Sequence, residues 1–229
     1  MRAWPRSALA HAAAPEMRPV VAASLTIGIA AGVFAIAFGV GAVAAGGTVA
    51  QTCVMSLLVF TGASQFSAVS VVDSGGSTAS ALGGAMLLAA RNGVYGLTLA
   101  RHLDGSLGRR LVAAQLTIDE STAMATAQDD PDARRAAFWI TGCAVFVCWN
   151  VGTLIGALAG EAIDPETYGL DAAFPAGFVA MLAPHLRTPM GRVVGIVGAL
   201  ICLVLVPFAP IGVPILCASA AVLIGLRAP

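Results

Sequence analysis

Charge is what this sequence has least of. Only 10% of its 229 residues are charged, whereas a soluble domain carries about 25%. Lysine is absent, and the 12 arginines are balanced by 12 acidic residues, so the formal net charge is zero. A neutral chain offers no basic surface for nucleic acid. Because so few charges cannot cover a surface that faces water, the composition excludes an ordinary soluble domain.

Metal-ligand patterns and the common catalytic motifs are missing as well. The five cysteines all fall in apolar runs, with no CxxC pair and no histidine at ligand spacing. They are Cys53, Cys143, Cys148, Cys202 and Cys217. We therefore expect no disulfide, no metal site and no cofactor. The chain contains no P-loop, HExxH or GxSxG motif, so we expect no catalytic residues and no enzyme activity.

Apolar residues are what the sequence has in excess. They form 58% of the chain, and the mean hydropathy is +0.88. No charge occurs in residues 19–72, 136–160 or 193–226, and a membrane-spanning helix needs about 20 apolar residues. Abundant glycine and alanine allow such helices to pack closely. The predicted fold is therefore all-α, a polytopic membrane helical bundle.

The chain is predicted to be one membrane domain with short ends. Residues 1–19 form a cytoplasmic N-terminal segment, because they hold three arginines but no compact apolar core of a signal peptide. Residues 20–226 form a single transmembrane permease domain, with candidate halves at 20–127 and 136–226. Residues 227–229 are the cytoplasmic C-terminus.

The apolar pattern predicts the individual helices. They cover 20–45, 49–72, 77–100, 111–127, 136–159 and 193–226. The second is interrupted by a polar, glycine-containing stretch at 60–66, which at membrane depth must be buried in protein or line a cavity. The fourth holds Asp119 and Glu120 in its middle. The last is too long for one crossing, and its prolines divide it into a hairpin of two helices.

Arginine placement orients the bundle. Arginines precede the helices that begin at 20, 136 and 193, whereas the loop 160–171 carries only acidic charges. The positive-inside rule then puts both termini in the cytoplasm of a cell membrane, with an even number of crossings. If 49–72 is re-entrant and 111–127 is interfacial, there are six crossings. If both segments cross, there are eight, and the sequence leaves the two alternatives open.

A faint internal repeat is visible. A long helix at 20–45 is followed by VFTGA at 59–63, and another at 136–159 is followed by AFPAGF at 173–178. Paired segments interrupted by glycine or proline point to a transporter binding site. Chance in a chain so rich in glycine and alanine is the rival explanation.

Four motifs, in this order, resemble those of one family. They are FTGASQF at 60–66, ARNGVYGL at 90–97, DES at 119–121 and DAAFP at 171–175. From Arg18 onward the chain is similar to the AzlC family, the large subunits of two-component branched-chain amino acid exporters. The resemblance implies export of leucine, isoleucine and valine, or of related apolar amino acids. It also implies a small membrane partner of the AzlD family.

The interrupted segment supplies one part of a candidate substrate site. Thr61, Gly62, Ser64 and Gln65 combine a helix break with side-chain donors. The free N–H groups at such a break can hold a substrate carboxylate, helped by the helix dipole. The same residues could instead only pack a helix kink.

Charged residues at membrane depth supply the other part. Arg91 could hold the substrate carboxylate, pair with Asp119 or Glu120, or extend its charge to the interface. Its neighbour Asn92 could satisfy nearby backbone or substrate groups. In a bundle the two acids could bind protons and couple export to the proton gradient, whereas in an interfacial helix they would be solvated charges.

Phe174 and Pro175 complete the candidate pathway residues. They follow Asp171, which suits the N-cap of a short helix with proline in its first turn. The sequence as a whole predicts a secondary active exporter of branched-chain amino acids, driven by the proton gradient. The alternatives are a membrane-embedded enzyme and a membrane subunit that transports nothing.

Overall fold

The computed structural model describes residues 15–103, 105–162, 179, 182–183 and 185–225. Across these ranges the secondary structure is entirely helical, which confirms the predicted all-α class. The helices are α1 (Arg18–Ala44), α2 (Val49–Val59), α3 (Ala63–Asp73), α4 (Thr78–Leu99), α5 (Leu107–Gln115), α6 (Asp119–Thr126), α7 (Pro131–Ala162), α8 (Pro189–Leu205), α9 (Val213–Ala218) and α10 (Val222–Gly225).

Helices α1 and α7 are the longest and form the centre of the bundle. With its preceding turn, the first covers Pro15–Ala44 and has a most apolar window of mean hydropathy 2.3. The second covers Pro131–Ala162, with a corresponding value of 1.8. Within the described ranges, these two helices are long and apolar enough to cross a membrane by themselves. The predicted six to eight crossings therefore require shorter or broken segments as well.

α1 and α7 run parallel and approach each other closely. Near their N-terminal ends, the hydroxyls of Ser24 and Thr141 share a hydrogen bond of 2.7 Å. Near their other ends, a Cβ placed on Gly160 would lie 3.1 Å from the Cα of Val40. Residues later in α1 therefore contact residues later in α7, so the two helices are parallel. Small residues along the seam permit this backbone approach.

Residues 49–73 form a helical hairpin with a sharp break between its two arms. α2 ends at Phe60, whose φ of 36° is left-handed, and Gly62 follows with a φ of 45°. α3 then begins at Ala63. The non-helical residues are therefore 60–62, a shorter break than the predicted 60–66, because the second half of that motif is already the first turn of α3.

The two arms of this hairpin run in opposite directions. The hydroxyl of Ser56 donates to that of Thr153 at 3.1 Å, and farther along α2 the ring of Phe60 packs edge-on against Phe146 at 4.9 Å. α2 is therefore antiparallel to α7. The end of α3 lines the same cavity as the start of α2. The segment therefore begins and ends on the side of the bundle where α1 ends.

The predicted single helix at 111–127 is wrong. The structure has two helices, α5 and α6, with non-helical residues between them. The hydroxyl of Ser121 accepts from the N–H of Ile118 at 3.1 Å and donates to the carbonyl of Leu116 at 2.6 Å. These bonds replace the main-chain bonds that would continue the helix. The two adjacent acids consequently open α6 instead of lying in the middle of a helix.

α4 connects the end of α3 to the beginning of α7 and closely matches the helix predicted at 77–100. Near its start, a Cβ on Gly84 would lie 3.2 Å from the hydroxyl oxygen of Ser67 in α3. Just after its end, the carbonyl of His102 accepts from the Nε of Arg135 in α7 at 2.9 Å. α4 is therefore antiparallel to α7 and spans the whole bundle.

The C-terminal helices form the predicted hairpin. Gly198 of α8 lies beside Ala218 of α9, and Gly225 of α10 lies beside Val194 of α8. Gly212 begins the return arm with a φ of 90°. Of the predicted acidic loop 160–171, residues 160–162 are the last residues of α7, so the helix continues past Gly160. The rest of that loop, the DAAFP motif and the AFPAGF segment of the predicted repeat lie outside the described residues, so they stay predictions.

Candidate functional site

A cavity of about 240 Å³ lies where the breaks of the two interrupted segments meet. Its polar lining comes from the α2–α3 break, from α4 and from the start of α6. These residues are Thr61, Gly62, Arg91, Asn92, Asp119 and Glu120. Its apolar lining comes from α1 and α7 and from residues next to the breaks. It includes Ile27, Ala31, Phe34, Val145 and Trp149.

The fold thus gathers six of the ten residues that the sequence nominated. They come from positions up to 59 residues apart in the chain, between Thr61 and Glu120. Ser64 and Gln65 are buried in the first turn of α3 and do not line this cavity. Phe174 and Pro175 lie outside the described residues.

Arg91 and Asp119 form an ion pair at the cavity wall. The Nη1 of the arginine lies 2.8 Å from the Oδ2 of the aspartate. Both side chains are about one third exposed, at 33% and 37%. The arginine Nε and the aspartate Oδ1 have no hydrogen-bond partner among the described residues. Of the roles open to Arg91 from its sequence, pairing with Asp119 is the one that the geometry displays.

Two helix N-termini point into the cavity. α3 starts there at Gly62 and Ala63, and its first main-chain bond inside the helix runs from the N–H of Phe66 to the carbonyl of Gly62 at 3.0 Å. Of the N–H groups before it, that of Ser64 donates to the carbonyl of Thr61 at 3.4 Å. The N–H groups of this first turn carry partial positive charge. At the start of α6, Asp119 and Glu120 occupy the first turn, where the helix dipole favours carboxylates. The cavity therefore presents both signs of charge.

One residue that holds the site together was missed by sequence reasoning. The Nε2 of Gln115, at the end of α5, donates to the carbonyls of Leu57 and Leu58 at 2.9 and 3.3 Å. The last carbonyls of a helix have no intrahelical donor, and here the amide supplies one to the end of α2. It ties one broken segment to the other. The available signal was a lone amide between Ala114 and Leu116 in an apolar stretch.

Aromatic rings close the apolar side of the site. Trp149 lies with its ring centroid 6.3 Å from those of Phe38 and Phe66, and Phe38 and Phe66 meet edge-on at 5.7 Å. A Cβ on Gly62 would lie 3.4 Å from the edge of the Trp149 ring. The break in the hairpin is thus fitted against α1 and α7 by ring packing. The sequence did not single out Trp149, because its neighbours in α7 are equally apolar.

A helical bundle with apolar outer faces, two interrupted segments and a charged internal cavity defines a helical membrane protein. A family model described as "AzlC protein" matches residues 26–163, and this chain belongs to the AzlC family. The match includes every helix from α2 to α7 and most of α1, and so the whole cavity. Comparisons with curated proteins and with solved structures gave no match.

Membership of the family confirms the resemblance seen in the sequence. The family is associated with components of branched-chain amino acid transport, generally as one subunit of a two-component system. It is a transport-related family rather than an enzyme family.

Proposed function

We propose that this protein is the large subunit of a secondary active exporter of leucine, isoleucine and valine, or of related apolar amino acids. The observation that carries the proposal is the arrangement of the main cavity. Part of its lining is the Arg91–Asp119 pair and the N-terminus of α3, and another part, contributed by α1 and α7, is apolar. An amino acid zwitterion with an apolar side chain has the complementary groups.

The substrate carboxylate is assigned to the guanidinium of Arg91 and the N–H groups at the start of α3. A helix N-terminus and an arginine fork are both suited to a carboxylate. The ammonium group is assigned to Asp119 and Glu120, and the hydroxyl of Thr61 lies on the same lining. The side chain then occupies the space beside Trp149. In this arrangement the substrate inserts its own charges between those of the ion pair.

The two acids also serve as the proposed proton-coupling groups. Asp119 and Glu120 line the cavity in which the substrate ammonium is bound, so a proton and a substrate would compete for the same carboxylates. Carboxylates within membrane-spanning bundles serve as proton relays in pumps and transporters.

The variants Asp119→Asn and Glu120→Gln are expected to test this coupling. At least one of them should lose the dependence of leucine transport on an imposed pH gradient, because an amide cannot take up the transported proton. Transport is measured in membrane vesicles with and without the gradient. Unchanged pH-driven transport in both variants would remove these residues as coupling groups.

The partner is proposed to be a small membrane subunit of the AzlD family, and the site of action is the cell membrane. The export assay therefore uses cells that produce both subunits. Cells fed with a leucine-containing dipeptide should hold less intracellular leucine when the complex is present than when this chain is omitted. Equal intracellular leucine and valine in the two strains would contradict the exporter assignment.

Six crossings with both termini in the cytoplasm are the proposed topology. α1 and α7 are parallel, α4 runs against them, and α2–α3 returns to the side on which it began. Both ends of residues 107–128 lie by the start of α7. The guanidinium of Arg109 is 5.7 Å from the ring centroid of Trp139, and the carbonyl of Gln128 accepts from Arg134. These contacts support two re-entrant segments, one from each side.

Cysteine labelling discriminates the two crossing numbers. In a variant without the five native cysteines, Ser74→Cys follows α3 and Ser106→Cys precedes α5. Six crossings predict that an impermeant thiol reagent added outside intact cells labels the cysteine at 74. The cysteine at 106 should react only after the cells are permeabilised. Eight crossings predict the reverse pattern.

A further inference from the structure

A second cavity, of about 160 Å³, lies inside the α2–α3 hairpin, beside the end of α1. It is lined by Ala42 of α1 and Ala45 just after it, by Thr52 and Met55 of α2, and by the last two turns of α3. It lies on the side of the bundle where α1 ends. The proposed topology makes this the outer side.

Helix spacing places Gln65 between the two cavities. Gly62 lines the main cavity, and Ala68 and Val69 line the second one. Gln65 stands three and four residues before Ala68 and Val69, so it shares their face of α3. It lies within the first turn of α3, next to the helix start at Gly62 and Ala63 that lines the main cavity. From Gly62 to Val69 the helix rises by about 10 Å. Gln65 therefore occupies the middle of the wall that separates the cavities.

The side chain of Gln65 is fully buried, and no described residue forms a hydrogen bond with it. Its exposed fraction is 0%, and neither its Oε1 nor its Nε2 has a hydrogen-bond partner within the described ranges. A buried amide is costly unless its donors and acceptor are satisfied. An amide placed in this way is available to a polar molecule that passes between the cavities.

α2 also carries polar groups between the levels of the two cavities. Thr52 lines the second cavity and Phe60 the main one, and Ser56 lies between them at four residues from each. The hydroxyl of Ser56 is bonded to Thr153, whereas that of Thr52 has no partner among the residues described. Polar side chains thus occur between the levels of the two cavities on both arms of the hairpin.

We propose that the second cavity is the outer part of the substrate route, and that Gln65 is the polar contact by which the amino acid passes into it. This rests on the proposed export function. An amide both donates and accepts hydrogen bonds, so it can serve the carboxylate and the ammonium group in turn. Having no charge, it does not hold either of them firmly.

Cysteine accessibility tests the route. Ala68→Cys is made in the variant without native cysteines, with Leu82→Cys on the exposed outer face of α4 as the matched control. A cationic, impermeant thiol reagent is added outside cells that produce both subunits. Modification of the cysteine at 68 is expected to block leucine export, and excess leucine is expected to alter its labelling rate. The control should export normally after the same treatment.

Gln65→Leu tests the contact itself. Leucine export is expected to fall at least about tenfold, because a hydrogen bond to a charged group is lost in transit. Binding of leucine to the purified complex, measured as its shift of the melting temperature, should persist because Gln65 does not line the main cavity. If the variant does not reach the membrane, the labelling of Ala68→Cys decides the question.

The outcomes separate this inference from the proposed function. A wild-type complex that neither binds nor exports leucine refutes the function as stated. Normal binding and export, combined with full leucine export by Gln65→Leu or by the modified Ala68→Cys, overturns only the route.

Discussion

Replacing Arg91 by methionine is expected to lower leucine export at least about tenfold, since losing one charge-paired hydrogen bond is worth more than 1.4 kcal/mol. The substitution removes the proposed partner of the substrate carboxylate. It also leaves Asp119 without the guanidinium that lies 2.8 Å from it. Export is measured in cells that produce both subunits, and values are divided by the amount of this chain in the membrane.

A double variant separates the two roles of the arginine. Because Asp119 is itself assigned to the substrate ammonium group, only abundance is compared in the double variant. If Arg91 stabilises the fold as the partner of Asp119, then Arg91→Met combined with Asp119→Leu should recover the abundance that the single variant loses. If Arg91 binds the carboxylate, Arg91→Met should export less leucine even after export is divided by abundance. Wild-type export by Arg91→Met alone would exclude both roles.

Gly156→Ala is expected to destabilise the whole bundle. A Cβ at this position would clash with the carbonyl oxygen of Ile36 in α1. Backbone cannot move aside as a flexible side chain can, so α1 and α7 must separate. Overpacking of this kind costs about 1–3 kcal/mol. The expected result is a lower melting temperature of the purified complex and less of this chain in the membrane.

Gly93→Ala is the matched control for this prediction. It makes the same change within α4, where an added Cβ would have nothing within 4 Å among the described residues. Alanine favours a helix over glycine by about 1 kcal/mol, so the control should be as stable as the wild type or more stable. Equal melting temperatures for the two variants would mean that the glycine seam does not limit packing.

The helices that could be predicted are those whose positions follow from the charge and hydropathy of consecutive residues. α1 matches its predicted range closely, because absence of charge and apolar length decide whether a segment can enter a membrane. α4 also matches its predicted range, although it contains Arg91 and its most apolar stretch is less apolar than those of α1 and α7. The hairpin at the C-terminal end followed from its prolines. The break after α2 was also visible, since glycine and polar residues at membrane depth are conspicuous.

The break between α5 and α6 could not be predicted in the same way. Residues 111–127 have the composition of a helix, and a hydroxyl such as that of Ser121 is found both inside helices and at their starts. Only its bonds to Leu116 and Ile118 show which use it has here. Local sequence does not settle such competition between side-chain and main-chain bonds. That difference moved the two acids from mid-helix to a helix start facing the cavity.

The charge-poor sequence by itself determined that this protein is a helical membrane bundle, and its ordered motifs pointed to its family. The tertiary structure decided which polar groups meet. Arg91 and Asp119 lie on different helices, and Gln115 reaches α2 across more than 50 residues of chain. Apolar runs predict that a helix lies in the lipid bilayer, but they do not predict which helix packs beside it. Glycine seams, helix breaks and side-chain hydrogen bonds determine which helices are neighbours. These contacts join residues that are far apart in the chain, so they become visible only in the folded structure.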